Sequence, residues 1–200
     1  MGNVSIAIQA HPARRPWVEA LVTELGPEVR VAWAEPPYAT ATDWRPIWRT
    51  KRAALIAGLD RDAPFHCVLQ DDAVLAPDFV ARLERLVDAG PFLYMLFFRK
   101  KRAYPAINKL ADLMLGDGGF VTTSGPILGP GLVFPRATIA PIVAFGDADP
   151  GLDGDDDRIR RWVRATGHPV YVPLPSLVDH REGRSLIGHP DGRQAWRFAA

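Results

Sequence analysis

Residues 65–75 read Phe-His-Cys-Val-Leu-Gln-Asp-Asp-Ala-Val-Leu, an apolar run that stops at two adjacent carboxylates and then resumes. An unpaired carboxylate inside a buried strand is costly or changes its pKa. We therefore expect Asp71 and Asp72 to lie just past the strand's carboxyl end, where ligands bind in open α/β sheets. Two oxygen ligands there suit a Mg²⁺- or Mn²⁺-type ion that also holds phosphate. The alternative is that either aspartate only caps the next turn.

The size and composition of the chain are those of one globular domain. It has 200 residues, of which 48% are hydrophobic and 24% charged, with a net charge of +1. Its one cysteine, Cys67, excludes an internal disulfide and suits a reducing compartment. The first residues lack the features of a signal peptide, and no apolar run reaches the roughly 18 residues of a membrane span. We expect a cytoplasmic protein.

Strand-like and helix-like segments alternate along the chain. The strands are predicted over residues 4–8, 29–34, 65–70, 92–98, 120–123, 132–134 and 170–172. Helices are predicted over residues 17–25, 43–59, 77–87, 135–143 and 158–166. This order predicts an α/β domain with a central, mostly parallel sheet flanked by helices.

Two groups of cations stand out, one within a predicted helix and one directly after a predicted strand. Lys51 and Arg52 belong to a helix whose first half carries four cations. Arg99, Lys100, Lys101 and Arg102 form the densest positive cluster, directly after the strand over 92–98. Each group is either a solvated surface or a contact for phosphate or nucleic acid.

Acidic residues and a histidine mark the second half of the chain. Six aspartates occur within residues 147–157, more than the capping of one helix needs. We therefore propose a catalytic or acceptor-binding carboxylate there. The glycine-containing tail holds His180, which is either structural or an imidazole for a metal, and residues able to donate to phosphate. These donors are Arg181, Arg184 and Ser185.

Taken in order, these features resemble the GT-A class of nucleotide-sugar glycosyltransferases. The resemblance covers an α/β amino-terminal half, a strand ending in Gln70-Asp71-Asp72, a glycine-rich region over 116–131, an acidic helix start over 153–157 and a late histidine. The motif is Gln-Asp-Asp here, where that family has a spaced Asp-x-Asp. The resemblance implies a single Rossmann-like domain over residues 1–200. Residues 1–98 would bind the nucleotide sugar, and residues 99–200 would form the acceptor side and a metal- and phosphate-binding tail.

The same resemblance implies roles for individual residues. Asp72 would be the main metal ligand, Asp71 would reach the donor ribose or the metal through water, and His180 would complete the coordination. Asp155 or Asp156 would be the catalytic base, with Asp153 as a further candidate. Ala10, His11 and Glu35 would hold the nucleotide. From their chemistry as phosphate donors, rather than from the resemblance, we add further donor-binding residues: Lys51, Arg52, Arg181, Arg184 and Ser185.

The implied function is a metal-dependent transfer of a sugar from a nucleoside-diphosphate sugar to a hydroxyl group, with Mn²⁺ or Mg²⁺ as cofactor. Residues 99–102 indicate a polyanionic acceptor, such as a hydroxymethylated pyrimidine base in the DNA of a phage genome. If the protein is encoded by a phage, we expect it in the host-cell cytoplasm. The rival acceptors are a cell-surface saccharide or a lipid-linked molecule. Other classes remain open: a non-catalytic nucleotide- or nucleic-acid-binding module, or a nucleotidyl- or phosphotransferase. The last would lack the usual glycine-rich phosphate loop with Lys-Ser/Thr.

Overall fold

The computed structural model describes residues 2–99, 108–109, 112, 119–125, 127–149, 154–183, 185–188 and 194–199. Its strands are β1 (Val4–Ala10), β2 (Arg30–Trp33), β3 (Phe65–Gln70), β4 (Ala73–Leu75), β5 (Leu93–Met95), β6 (Gly119–Thr123), β7 (Gly131–Pro135), β8 (Val170–Leu174) and β9 (Val178–His180). Its α-helices are α1 (Arg15–Leu25), α2 (Arg45–Ile56), α3 (Phe79–Val87), α4 (Arg136–Ala148) and α5 (Asp155–Thr166), and a 3₁₀ turn (Pro12–Arg14) precedes α1.

Seven of these strands form one sheet in the order β2-β1-β3-β7-β5-β8-β6. β1 pairs in parallel with both β2 and β3, and β5 pairs in parallel with β8. β7 runs antiparallel to β3 and β5, and β6 runs antiparallel to β8. Strands β1, β2, β3, β5 and β8 therefore point in one direction. The predicted α/β domain with a mostly parallel central sheet flanked by helices is confirmed.

The middle of the sheet is buried, as its unbroken apolar runs require. All of β7 and the first five residues of β3 are buried. His66 in β3 has both ring nitrogens in contact with polar atoms, Nδ1 at 2.8 Å from Ser5 Oγ and Nε2 at 2.8 Å from Ala54 O. Cys67 beside it is buried and free, and acts as a small core side chain. No helix in the described part of the chain has the length and apolarity to cross a membrane.

Several element boundaries differ from the sequence-based prediction, and two of the differences have a clear physical reason. The strand predicted over 92–98 pairs in a ladder only over Leu93–Met95, because the backbone of Leu96 bonds instead to Gly131 and Val178. The last helix begins at Asp155 rather than Arg158. Its aspartates form the first turn, since free amide groups and the helix dipole stabilise negative charge there.

A second, two-stranded sheet carries the tail back to the acidic pair. β4 follows Asp72 directly and pairs antiparallel with β9, so that Ala73 is opposite His180 and Leu75 is opposite Val178. The amide of Arg181 then donates to the carbonyl of Asp72 at 2.7 Å. The register of this short ladder therefore brings the His180 side chain to the end of β3.

Candidate functional site

A cavity of about 440 Å³ opens at the carboxyl ends of β1, β2 and β3. Its volume falls within the range of roughly 300–1,000 Å³ common for small-molecule sites. Its lining contains residues that end or follow those three strands, together with the loop before β7 and the first turn of α5. This is the crevice in which α/β proteins bind ligands.

The acidic pair in this cavity is held by an arginine. Nη1 of Arg14 donates to Asp71 Oδ1 at 2.7 Å and to Asp72 Oδ2 at 2.6 Å. The other oxygen of Asp71, Oδ2, accepts from the amide of His11 at 2.7 Å. Arg14 reaches the pair because the 3₁₀ turn after β1 folds back, with the Ala13 amide donating to His11 Nδ1 at 3.2 Å.

The two carboxyl groups of the pair differ in their ionisation. Burial opposes charge on Asp72, but the hydrogen bond from His180 and the charge of Arg14 outweigh it, so the pKa of Asp72 lies below its usual value. Burial prevails at Asp71, and despite Arg14 the pKa of Asp71 lies above its usual value. Asp72 is therefore the carboxylate that keeps its negative charge more firmly.

His180 faces Asp72 in a geometry that allows a positive centre between them. Its Nδ1 lies 2.9 Å from the carbonyl oxygen of Arg181 and donates to it, because a carbonyl only accepts. Its Nε2 lies 3.1 Å from Asp72 Oδ2. When Nδ1 carries the ring proton, Nε2 presents its lone pair toward Asp72 Oδ2, and a cation can then contact both atoms. When Nε2 carries a proton, it donates to Asp72 instead.

The Asp72–His180 pair fits a divalent cation as a partial ligand set. Adjacent ligands of an octahedral ion at about 2.1 Å lie roughly 3 Å apart, close to the 3.1 Å between Nε2 and Oδ2. Asp72 Oδ1 is buried and has no hydrogen-bond partner among the described residues, and metal-binding histidines commonly donate their other N–H to a carbonyl. No cluster of three His, Cys, Asp or Glu ligands occurs in the described part of the chain. The other ligands would therefore be phosphate and water, as Mg²⁺ often prefers.

The aspartates of α5 separate into different environments. Asp155 is buried and forms an ion pair with the fully buried Lys51, whose Nζ lies 3.4 Å from Asp155 Oδ2. Asp157 pairs with Arg160 at 2.7 Å. All three line the cavity, and Asp156 differs in having no ion-pair partner among the described residues: its side chain is partly buried, and its Oδ1 atom is enclosed without a hydrogen-bond partner there.

Burial raises the pKa of Asp156 to about 8, and the adjacent charge of Asp155 adds to this effect against the opposing charge of Lys51. A carboxyl group with a pKa near neutrality is suited to general acid–base chemistry. Of the two base candidates that the structure describes, Asp155 is ion-paired with Lys51, and Asp156 is the one to which we assign this property.

Gly129 lies between the side chains of Gln70 and Asp156 in the cavity lining. A Cβ at this position would lie 2.5 Å from Gln70 Nε2 and 2.8 Å from Asp156 Oδ1. The backbone of Gly129 also hydrogen bonds to Asp156. The absence of a side chain at Gly129 therefore allows the residue before the acidic pair and the carboxyl group of α5 to approach the same backbone.

The other predicted site residues fall into three sets. Ala10, His11, Glu35, Arg99 and Ser185 line the cavity. Lys51, Arg52 and Arg181 lie outside the lining: Lys51 is buried beneath Asp155, Arg52 pairs with Asp147 at 2.8 Å, and the Arg181 guanidinium lies over the Trp17 ring. Their role as donor ligands stays a prediction. Asp153, Arg184, Lys100, Lys101 and Arg102 lie outside the described residues.

Sequence reasoning missed Arg14 and Gly129. Arg14 carried a usable signal, because it follows the predicted end of β1 and the carboxyl ends of neighbouring parallel strands meet at one edge. Gly129 carried none beyond membership of a glycine-rich loop. Tyr38 was also missed; it lines the cavity with its ring centroid 4.6 Å from that of His11.

Comparisons with known proteins bear on the fold. No protein-family model matches the chain, and no curated protein matches it by sequence. The crystal structure of A197 from STIV is similar with a TM-score of 0.53 and 14% identity, over 96% of each chain. The crystal structure of 2-C-methyl-D-erythritol 4-phosphate cytidylyltransferase from Thermus thermophilus matches with a TM-score of 0.48 and 18% identity, over 95% of this chain and 94% of that one. At 14% identity, the first similarity concerns the α/β fold alone.

Proposed function

We propose that this protein is a glycosyltransferase that moves a sugar from a nucleoside-diphosphate sugar to a hydroxyl acceptor. One observation carries the proposal: a single cavity at the carboxyl ends of the parallel strands is lined by the Asp72–His180 pair and by Asp156. The Asp72–His180 pair suits a diphosphate with its cation, and Asp156 suits removal of a proton from an attacking hydroxyl.

In this reaction the bond between the anomeric carbon and the β-phosphate oxygen breaks, and its electron pair stays on the diphosphate. The acceptor oxygen forms the new bond to that carbon and loses its proton to the Asp156 carboxylate. Asp72 and His180 would hold the divalent ion, which would supply Lewis-acid stabilisation of the diphosphate. The amide of His11 would orient Asp71 beside the donor.

For the acceptor, we propose a polyanion, with a hydroxymethylated pyrimidine base in DNA as the leading candidate. Arg99 lines the cavity and is continuous in sequence with Lys100, Lys101 and Arg102. A cation in the lining that is followed in the sequence by three more favours a phosphate-bearing substrate. Enzymatic access to such a base requires turning it out of the stack. A cell-surface saccharide or a lipid-linked molecule is the competing acceptor.

The test is product analysis with UDP-, GDP- and TDP-sugars in the presence of Mn²⁺. We expect at least one of them to raise the melting temperature and to release its nucleoside diphosphate. Asp156→Asn should slow release about 100-fold or more while the melting shift with the nucleotide sugar persists. Asp72→Ala should abolish release of the nucleoside diphosphate, whether or not the divalent ion is present.

Asp60→Asn is the control, since Asp60 is exposed and outside the cavity lining. Full activity of Asp72→Ala in a chelator would remove the metal assignment. Release of pyrophosphate from a nucleoside triphosphate and a sugar phosphate, without release of nucleoside diphosphate, would replace glycosyl transfer by nucleotidyl transfer.

A further inference from the structure

Arg14 contacts the acidic pair in a way that competes with a divalent ion. Its Nη1 carries two hydrogens, and the bonds to Asp71 at 2.7 Å and to Asp72 at 2.6 Å use both of them. A divalent ion on Asp72 Oδ2 would bind the same oxygen at about 2.1 Å. Two cations sharing one oxygen atom repel each other strongly in a partly buried site. Arg14 must therefore give up Asp72 before an ion can bind there.

The Arg14 guanidinium has further N–H donors with which it could bind a diphosphate. Its contacts with the described residues use Nη1, so that Nη2 and Nε keep three N–H groups in a side chain that lines the cavity. These groups match phosphate oxygens in a charge-assisted, bidentate geometry. The Arg14 guanidinium also lies over the Trp17 ring at 5.1 Å, a contact that tolerates rotation of the cation.

We propose that Arg14 is a resident counter-cation that keeps a divalent ion off Asp72 until a diphosphate draws its guanidinium away. The inference rests on the proposed function, because it concerns the same metal and donor site. The metal and the diphosphate then bind cooperatively, and each raises the affinity for the other by the same factor. Arg14 is accordingly a positioning residue that orders the loading of the site.

The experiment measures Mn²⁺ binding by the loss of the free-ion electron paramagnetic resonance signal, with and without pyrophosphate. Pyrophosphate provides the diphosphate without a base, and its own complex with Mn²⁺ is measured without protein and subtracted. The variants are Arg14→Gln, Arg14→Lys and Arg15→Gln. Arg15 is the matched control because it is exposed, adjacent in sequence and positioned over the Trp33 ring outside the cavity lining.

We expect Arg14→Gln to bind Mn²⁺ alone about tenfold more tightly than the wild type, because the competing charge is gone. Pyrophosphate should reduce the difference in Mn²⁺ affinity between Arg14→Gln and the wild type. Arg14→Lys keeps the charge, so it should bind Mn²⁺ alone as weakly as the wild type and Arg15→Gln do. If Arg14→Gln fails to fold, Arg14→Lys still tests the inference. We expect pyrophosphate to raise the Mn²⁺ affinity of Arg14→Lys, as it does that of the wild type.

Equal Mn²⁺ affinities of the wild type and Arg14→Gln, both in the measurable range, would overturn the inference and leave the proposed metal site intact. For Arg14→Lys, an Mn²⁺ affinity that pyrophosphate does not change would overturn it in the same way. Absence of Mn²⁺ binding to every variant under both conditions would overturn the metal site of the proposed function and the inference with it.

Discussion

The carboxyl group of Asp156 lies in surroundings that resist its charge. Its pKa of about 8 comes first from burial and then from Asp155, whose own charge is balanced by Lys51. In the unfolded chain the same group has a pKa of about 3.8. Between these two values the folded protein therefore holds a proton that the unfolded chain has released.

This difference predicts how stability depends on pH. The contribution of Asp156 is fully present below pH 3.8 and is lost as pH rises through about 8. Asn resembles the protonated carboxyl group, so Asp156→Asn should match the wild type near pH 4 and exceed it at pH 9. For a chain of this length each kcal/mol changes the melting temperature by about 2–4 °C, and we expect a gain of about 3 °C or more. Thermal unfolding at both pH values measures it.

Asp60→Asn controls for the loss of one negative charge at an exposed position. An Asp156→Asn protein that is no more stable than the wild type at pH 9 would contradict the raised pKa. It would also weaken the case for Asp156 as the base.

At the scale of elements, the loop before β7 joins two parts of the site. Gly129 contacts the ends of the Gln70 and Asp156 side chains, and Gly131 then starts β7. The atoms that a Cβ at residue 129 would meet are flexible side-chain ends. They can move at little cost in stability, although not without leaving their positions in the cavity.

We therefore expect Gly129→Ala to lower turnover more than stability. A displacement of about 1 Å in an active site costs up to about 100-fold in rate, and we expect a loss of about tenfold or more. The melting temperature should change by no more than about 3 °C, which corresponds to about 1 kcal/mol. Turnover and thermal unfolding are measured on the same preparation.

Gly58→Ala is the contrasting control, since its Cβ would lie 2.3 Å from Cγ of the buried His66 ring, away from the cavity. Overpacking of this kind costs about 1–3 kcal/mol, so Gly58→Ala should lower the melting temperature and leave turnover per folded molecule unchanged. Wild-type turnover in Gly129→Ala would show that the approach of Gln70 and Asp156 is not needed for catalysis.

At the scale of the whole molecule, the cavity lies next to the point where strand direction changes. β1, β2 and β3 run parallel, and their carboxyl ends supply one part of the lining. The antiparallel β7 then returns beside β3, so the loop that precedes β7 comes to the same edge. One edge of the sheet thus collects the acidic pair and Asp156, and Arg99 adds a cation to the lining.

If the acceptor is DNA, its binding should weaken steeply with salt. Four cations over residues 99–102 predict a loss in affinity of about 100-fold between 50 and 200 mM salt. Replacing Lys100 and Lys101 with Gln should reduce the slope by roughly two counterions. Fluorescence anisotropy with a labelled oligonucleotide measures both. Arg161→Gln with Arg164→Gln is the control, because both residues are exposed on α5 outside the cavity lining.

Affinity that does not change with salt would contradict a DNA acceptor. The same loss of slope in the α5 control would assign the effect to total charge rather than to residues 99–102.

The features predictable from sequence depend on short-range patterns. Unbroken apolar runs predicted β3 and β7, and the abrupt change at Gln70 predicted an acidic pair past a strand end. Alternation of such runs with amphipathic helices predicted the α/β class. These predictions hold because a buried strand excludes unpaired charge wherever it lies in the sheet.

The arrangement of the site depends on contacts between residues far apart in the chain. Arg14 lies 57 positions from Asp71, and no local pattern selects it over the adjacent Arg15. His180 reaches Asp72 only through the β4–β9 register, and a register slip of one residue would turn it to the other face. The apolar pattern therefore determines the fold class and the location of the acidic pair. Which cation, imidazole and base surround that pair is decided by the packing of the tertiary structure, because burial and charge at each carboxyl group come from residues that folding alone brings together.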